Sequence, residues 1–145
     1  MPIKVLSQFP PNIDAIKKAF DLSGDEIFCY GDIIYNPSNK DLTPDLLEHE
    51  MVHIAQQSQN TAQWWGLYLK DRIFRASQEI PAYQMQYRVA KNIIKDRNRL
   101  FLYLKQIAIN LSSETYGKVM TFNEAVDAIK KEELFDISKL TKNVL

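Results

Sequence analysis

The segment Leu47 to Gln57, LEHEMVHIAQQ, holds both histidines of a 145-residue chain, four positions apart, with Glu50 directly after the first. Histidine is the commonest metal-binding side chain, and two histidines with a carboxylate beside them supply what metal-assisted hydrolysis needs: ligands and a base. Chance explains the pattern poorly. Two histidines placed at random in a chain of this length fall four apart about once in 70 trials, and about once in 1,300 with Glu next in line. On a helix, which turns by about 100° per residue, His49 and His53 stand one turn apart, about 6 Å along the axis, with both imidazoles on one side.

Catalytic zinc takes three protein ligands and keeps one position for water. The pattern H-E-x-x-H-x-x-G-x-x-H requires Gly and His where this chain has Gln56 and Gln59, and no third histidine exists. The single cysteine, Cys29, lies upstream in a predicted strand and reads as a core filler. The third ligand is therefore expected to be a carboxylate from a later element. The downstream acids are Asp71, Glu79, Asp96, Glu114, Asp127 and a tail group of Glu132, Glu133 and Asp136. Glu79 has the setting of a ligand: it falls on or beside the apolar stripe of a predicted helix, where a carboxylate without a partner is costly to bury. Asp71 has Lys70 and Arg72 as ordinary surface partners, and Asp45, one turn before His49, complements the helix dipole. Those two stay open as alternatives to Glu79.

The elements that position these residues read as helices with one hairpin. A short helix is expected over Asn12 to Phe20. Ile27 to Tyr30 and Ile33 to Tyr35 flank Gly31-Asp32, a two-residue hairpin signal, and Asn36-Pro37 stops the second strand. Thr43 as N-cap, Pro44 in the first turn and Asp45 at the positive end open the histidine helix, expected to run to about Ser58. Its wheel sets Leu47, Met51, Ile54 and Ala55 on one side as the core-facing stripe, with His49, Glu50, His53, Gln56 and Gln57 on another. Ala62 to Arg75 reads as an aromatic-rich helix whose Trp64, Trp65, Tyr68 and Phe74 are expected to pack rather than meet substrate. A further helix from about Gln78, with Pro81 in its first turn, carries Ile80, Tyr83, Tyr87, Ala90 and Ile94. Leu100, Leu104, Ile107, Ala108 and Leu111 continue a helical stripe, Ser112 to Lys118 is a loop, and Thr121 with Glu124 makes a capping box for a helix to about Lys131.

Composition sets the class. The elements make the chain mainly α (α+β), and with 46% hydrophobic residues its 145 residues suit one domain, residues 1–145, that buries about 70% of its unfolded surface and needs no staples. Lys plus Arg and Asp plus Glu are both 18, and KDRNR at Lys95 to Arg99 is the one charged run, so neither nucleic acid nor a membrane is expected as partner. The sequence shows no leader-like apolar run and no stretch of 18 apolar residues, which predicts a soluble, cytoplasmic protein. Release in a virion, or by another leaderless route, would leave no mark. No signal for an oligomeric state is present.

HEMVHIAQQ, followed by Glu79 in QEIPAY, resembles the gluzincin branch of the zinc metallopeptidases, especially small bacterial and phage-encoded ones in which HExxHxxQ precedes a helix bearing E-x-x-A-Y. The resemblance covers Thr43 to Arg88. It implies a minimal zincin-like fold, a helical domain with a short β-hairpin before the HExxH helix. It also implies Zn2+ held by His49, His53 and Glu79, Glu50 as general base, and a peptide or protein as substrate. An edge strand at Ile33 to Tyr35 would pair with that peptide. Thermolysin-like enzymes steady the oxyanion with a separate histidine, which this chain lacks, so Tyr83 is the expected substitute, with Tyr35 and Tyr87 behind it. Packing as a core tyrosine is the competing role for Tyr83. Gln56 and Gln57 are expected to orient ligands or cap the helix. The alternative function is a zinc-binding structural or assembly protein of a phage or secretion apparatus, without turnover.

Overall fold

The computed structural model describes residues 3–131. In chain order these form β1 (Lys4–Leu6), α1 (Ile13–Ala19), β2 (Phe28–Tyr30), β3 (Ile33–Tyr35), α2 (Pro44–Gln56), α3 (Thr61–Lys70), α4 (Arg72–Ile93), α5 (Arg97–Leu111) and α6 (Phe122–Lys130), with a 3-10 turn over Glu114–Tyr116. The architecture is mainly helical with one small sheet, as expected. No helix among the described residues is long and apolar enough to cross a membrane.

The hairpin forms where the sequence signals it. Gly31 turns the chain with φ at 66° while Asp32 stays at negative φ, the requirement of a type II′ turn. The rest of the sheet departs from expectation. The strand β1 went unforeseen, because Lys-Val-Leu is too short to show an alternating pattern and its partner is distant in sequence. It pairs parallel with β3, from Lys4 opposite Ile33 to Leu6 opposite Tyr35, and β2 pairs antiparallel on the other side. The order is β1-β3-β2, so Ile33–Tyr35 is the central strand and both of its sides are taken. Strand addition of a peptide at β3 is thereby excluded. On β2, the carbonyl of Cys29 is occupied by Gln57 Nε2 at 2.9 Å and Trp65 Nε1 at 3.0 Å.

Helix α2 turns its polar face inward rather than its expected apolar stripe, of which Leu47 and Ile54 stay half-buried. Asp45, Glu50 and His53 are its buried residues, whereas Met51 is 38% exposed and Ala55 lies outside. The polar face turns inward because α4 packs against it and brings complementary polar groups, so the cost of burying each group is offset by a partner. At the start of α2, Thr43 takes the N-cap position but makes no capping bond with its side chain. The Asp45 carboxylate lies at that positive end instead: burial works against its charge, but the Thr43 and Tyr103 hydroxyls and the backbone N–H groups of Asp45 and Leu46 outweigh it and keep its pKa below the ordinary value.

The expected helix Ala62 to Arg75 is broken at Asp71. That residue leaves helical geometry and its carboxylate accepts from the N–H groups of Ile73, at 2.9 Å, and Phe74, at 3.1 Å, so it is an N-cap and neither a surface partner nor a ligand. The helix expected to begin near Gln78 therefore begins at Arg72, and Pro81 sits in its interior, where it lacks the N–H that would bond the carbonyl of Ser77. From Arg75 to Gln84 every residue of α4 is buried, which is why no single apolar stripe describes it. Arg75 spans the junction: its guanidinium donates to the carbonyls of Tyr68 and Leu69 at the end of α3 and to that of Thr115. Two apolar cores flank α4. One joins Ile80, Tyr83 and Tyr87 to α5 and α6; the other gathers Ile16, Phe28, Tyr35 and the aromatic residues of α3. The capping box of Thr121 and Glu124 opens α6. Glu132, Glu133 and Asp136 lie outside the described residues.

Candidate metal centre

Helices α2 and α4 bring three atoms to one point. His49 Nε2 and His53 Nε2 are 3.2 Å apart, and Glu79 Oε1 is 3.1 Å from each. Tetrahedral ligands bound at about 2.0–2.1 Å from zinc stand about 3.3 Å apart, so the triangle has the size of such a donor set.

The outer atoms of all three residues are held. His53 Nδ1 lies 2.8 Å from Gln56 Oε1, and Gln56 cannot be turned round, because its Nε2 donates to the carbonyl of Gln78 at 2.9 Å. His49 Nδ1 lies 2.7 Å from Gln86 Oε1. Gln86 Nε2 in turn donates to the Tyr103 hydroxyl at 2.8 Å, and that hydroxyl donates to Asp45 Oδ2 at 2.5 Å. Both glutamine oxygens are acceptors, so both imidazoles carry their proton on Nδ1 and present Nε2 as a lone pair. The second oxygen of Glu79 accepts from Tyr68 at 2.5 Å. Three acceptors then face one another with no donor among them. That arrangement suits a cation between them, either a metal ion or an extra proton.

The protonation behaviour follows from that crowding. Burial pushes His53 toward the neutral form, but the Glu79 carboxylate, aided by its hydrogen bond and by Glu50, overrides this and holds the imidazole up to about 9. Burial likewise works against the Glu79 carboxylate, and the two histidines outweigh it and keep the group well below the usual carboxylate range. Glu50 differs. Its ligand-capable oxygen lies within 4.8 Å of those of the histidines, yet burial, reinforced by Glu79, outweighs their attraction and raises its pKa. Among the described residues no side-chain hydrogen bond reaches Glu50. It lines two cavities that meet at His49, one of about 140 Å³ and one of about 390 Å³.

Of the residues singled out in the sequence, His49, Glu50, His53 and Glu79 are brought together. Tyr83 stands beside them: its ring meets that of His49 edge-on with centroids 4.6 Å apart, and its hydroxyl lies 3.2 Å from that of Tyr116. It is Tyr68, not Tyr83, that bonds the carboxylate of Glu79. Tyr35 and Tyr87 are buried in the two cores and line neither cavity. Gln56 does orient a histidine, whereas Gln57 pins the hairpin to α2, its Oε1 accepting from Gly31 N at 2.7 Å. Cys29 is buried, with its thiol against the carbonyl of Gly31, and burial with nearby Glu50 pushes that thiol far up. Asp45 acts through Tyr103 and Gln86 rather than at the centre itself. Gln86, Tyr103 and Tyr116 escaped the sequence reading, and Tyr68 entered it only as a packing aromatic. Gln86 had a signal, since it stands seven residues after Glu79 and so shares its helix face. The chain matches no known protein family, no curated protein and no solved structure.

Proposed function

We propose that the chain is a zinc-dependent hydrolase of peptide bonds. The observation that carries the reading is the convergence of three lone-pair atoms, two fixed by glutamine carbonyls, beside a buried carboxylate that has no hydrogen-bond partner in the site. His49, His53 and Glu79 would hold the ion. Bound there, zinc supplies Lewis-acid polarisation of a water molecule and of the substrate carbonyl. Glu50, with its raised pKa, accepts the proton of the attacking water and returns it to the leaving amine. Its lack of a structural partner supports that role, because a metal kept for stability alone needs no base beside it.

Tyr83 and Tyr116 supply hydroxyls on the same side. Their hydroxyls lie 3.2 Å apart, so the pair uses one of its two protons mutually and the other can meet a developing oxyanion. Both tyrosines line the larger cavity.

The test combines metal content with turnover. Untagged protein should carry one zinc per chain and cleave members of a peptide library. Glu50→Gln should keep the zinc and the fold while lowering the rate at least about 10²-fold. Loss of the metal in that variant would make Glu50 a ligand. A wild-type chain that binds zinc without cleaving any peptide would favour the assembly role.

A further inference from the structure

The run from Arg88 to Lys105 holds six cations, Arg88, Lys91, Lys95, Arg97, Arg99 and Lys105, and one acid, Asp96. The rest of the chain holds twelve cations and seventeen acids, so the balanced total conceals two regions of opposite sign. The fold keeps the basic run together, as the end of α4, the turn into α5 and the first half of α5. Among the described residues none of these six cations enters an ion pair, and the Asp96 carboxylate is taken up in capping α5, where it accepts from Asn98 N at 3.0 Å. Arg97 and Arg99 stand in the first turn of α5, which contains no acid. The positive end of a helix repels cations, so this placement costs stability that an anion from outside would restore.

The same corner exposes large apolar side chains. Ile93 is 53% exposed, Phe101 63% and Leu102 61%. Helix α5 buries Leu104, Ile107, Ala108 and Leu111 against the core, and its exposed positions Phe101, Leu102, Lys105 and Ile109 form a second apolar strip interrupted by a cation. A partner must therefore satisfy both charge and apolar surface. Ile93 and Leu102 give bases no ring to stack on, which disfavours a nucleic acid. A bilayer with anionic headgroups matches both: its hydrocarbon edge takes the apolar side chains, and its phosphates meet the cations.

We propose that the corner between α4 and α5 docks on an anionic lipid surface, with Ile93, Phe101 and Leu102 entering the interface and the surrounding Lys and Arg side chains reaching the headgroups. Ile93 lies fourteen residues beyond Glu79, about 20 Å along α4, so this surface is separate from the candidate metal centre and does not depend on the hydrolase reading.

The test floats the full chain with vesicles of phosphatidylcholine alone or with about 30% phosphatidylglycerol. Binding should be at least about tenfold tighter to the anionic vesicles at about 0.15 M salt, and should fall at about 1 M, where the screening length drops from about 8 Å to about 3 Å. Phe101→Ser with Leu102→Ser, and separately Arg97→Glu with Arg99→Glu, should each weaken binding at least about tenfold. All four side chains are exposed, so helical circular dichroism should stay unchanged; should the charge-reversed pair fail to fold, Lys95→Glu with Lys105→Glu replaces it. Trp64 and Trp65 are buried, so brominated lipid should quench the added indole of Phe101→Trp well beyond the wild-type emission. Equal binding to both vesicle types, or none, would overturn the proposal. Anionic binding that survives Phe101→Ser with Leu102→Ser would reveal attraction to any polyanion without insertion, and would overturn it as well. Self-association that this variant abolishes, in a chain that ignores vesicles, would assign the surface to a second copy instead of a lipid.

Discussion

His49 and His53 occupy equivalent positions one turn apart, but their supports differ. Gln56, which orients His53, is three residues away on the same helix, so helical geometry alone sets that contact. The support of His49 comes from α4 and continues through Tyr103 on α5 to Asp45. Three helices must be docked before that imidazole is fixed. Gln86→Leu should therefore weaken zinc binding about 10- to 100-fold, measured by competition with a chromophoric chelator, with the helical circular dichroism unchanged. Unaltered affinity would mean that the ring is held by its edge contact with Tyr83. The motif was legible in the sequence because its four-residue spacing is a property of one helix. The chain from Gln86 to Asp45 was not, because it joins residues 17 and 58 positions apart whose relation exists only after folding.

The helices owe their placement to a few polar junctions. At the break between α3 and α4, Asp71 caps the second helix while Arg75 closes the first by binding its last carbonyls. A charged donor buried among carbonyls is stabilising only while all its bonds are made. Arg75→Met should leave the carbonyls of Tyr68, Leu69 and Thr115 without their donor and cost at least about 2 kcal/mol, measured by urea unfolding. A smaller loss would show that water replaces the guanidinium. The break itself was illegible because the aromatic pattern runs through it and Asp71 has charged neighbours on both sides. The inward polar face of α2 has a related cause. A wheel separates polar from apolar residues, but which side goes inward depends on what the neighbouring helix offers, and α4 offers the side chains of Gln86 and Glu79 and the carbonyl of Gln78.

Across the whole molecule, the fold brings His49, His53 and Glu79 together at the contact between α2 and α4, and stability should follow the proton or metal ion held there. In metal-free protein His53 has a folded pKa of about 9 against an ordinary 6.5. Because the folded value is raised, its contribution is complete below about pH 6.5 and is lost as the pH rises through about 9. The thermal midpoint of metal-free protein should fall over that window. With zinc in excess the trend should reverse, since the ion replaces the proton and binds more tightly as that proton leaves. Scanning calorimetry of both forms at matched ionic strength checks this. A flat profile without metal would mean that His53 holds no extra proton. Helix content and the hairpin were legible from periodicity and turn chemistry. The sheet order was not, because the pairing of β1 with β3 joins Lys4 to Ile33 across a helix and the first hairpin strand.

The bond from Gly31 N to Gln57 has a consequence for hydrogen exchange. An amide at the tip of a two-residue hairpin ordinarily faces water and exchanges its proton quickly. Here its acceptor is a glutamine side chain only 2% exposed, which also holds the carbonyl of Cys29. The Gly31 amide should therefore exchange no faster than α2 separates from the sheet, so one turn residue, followed by deuterium uptake, measures how often the histidine helix lets go of the strands beneath it.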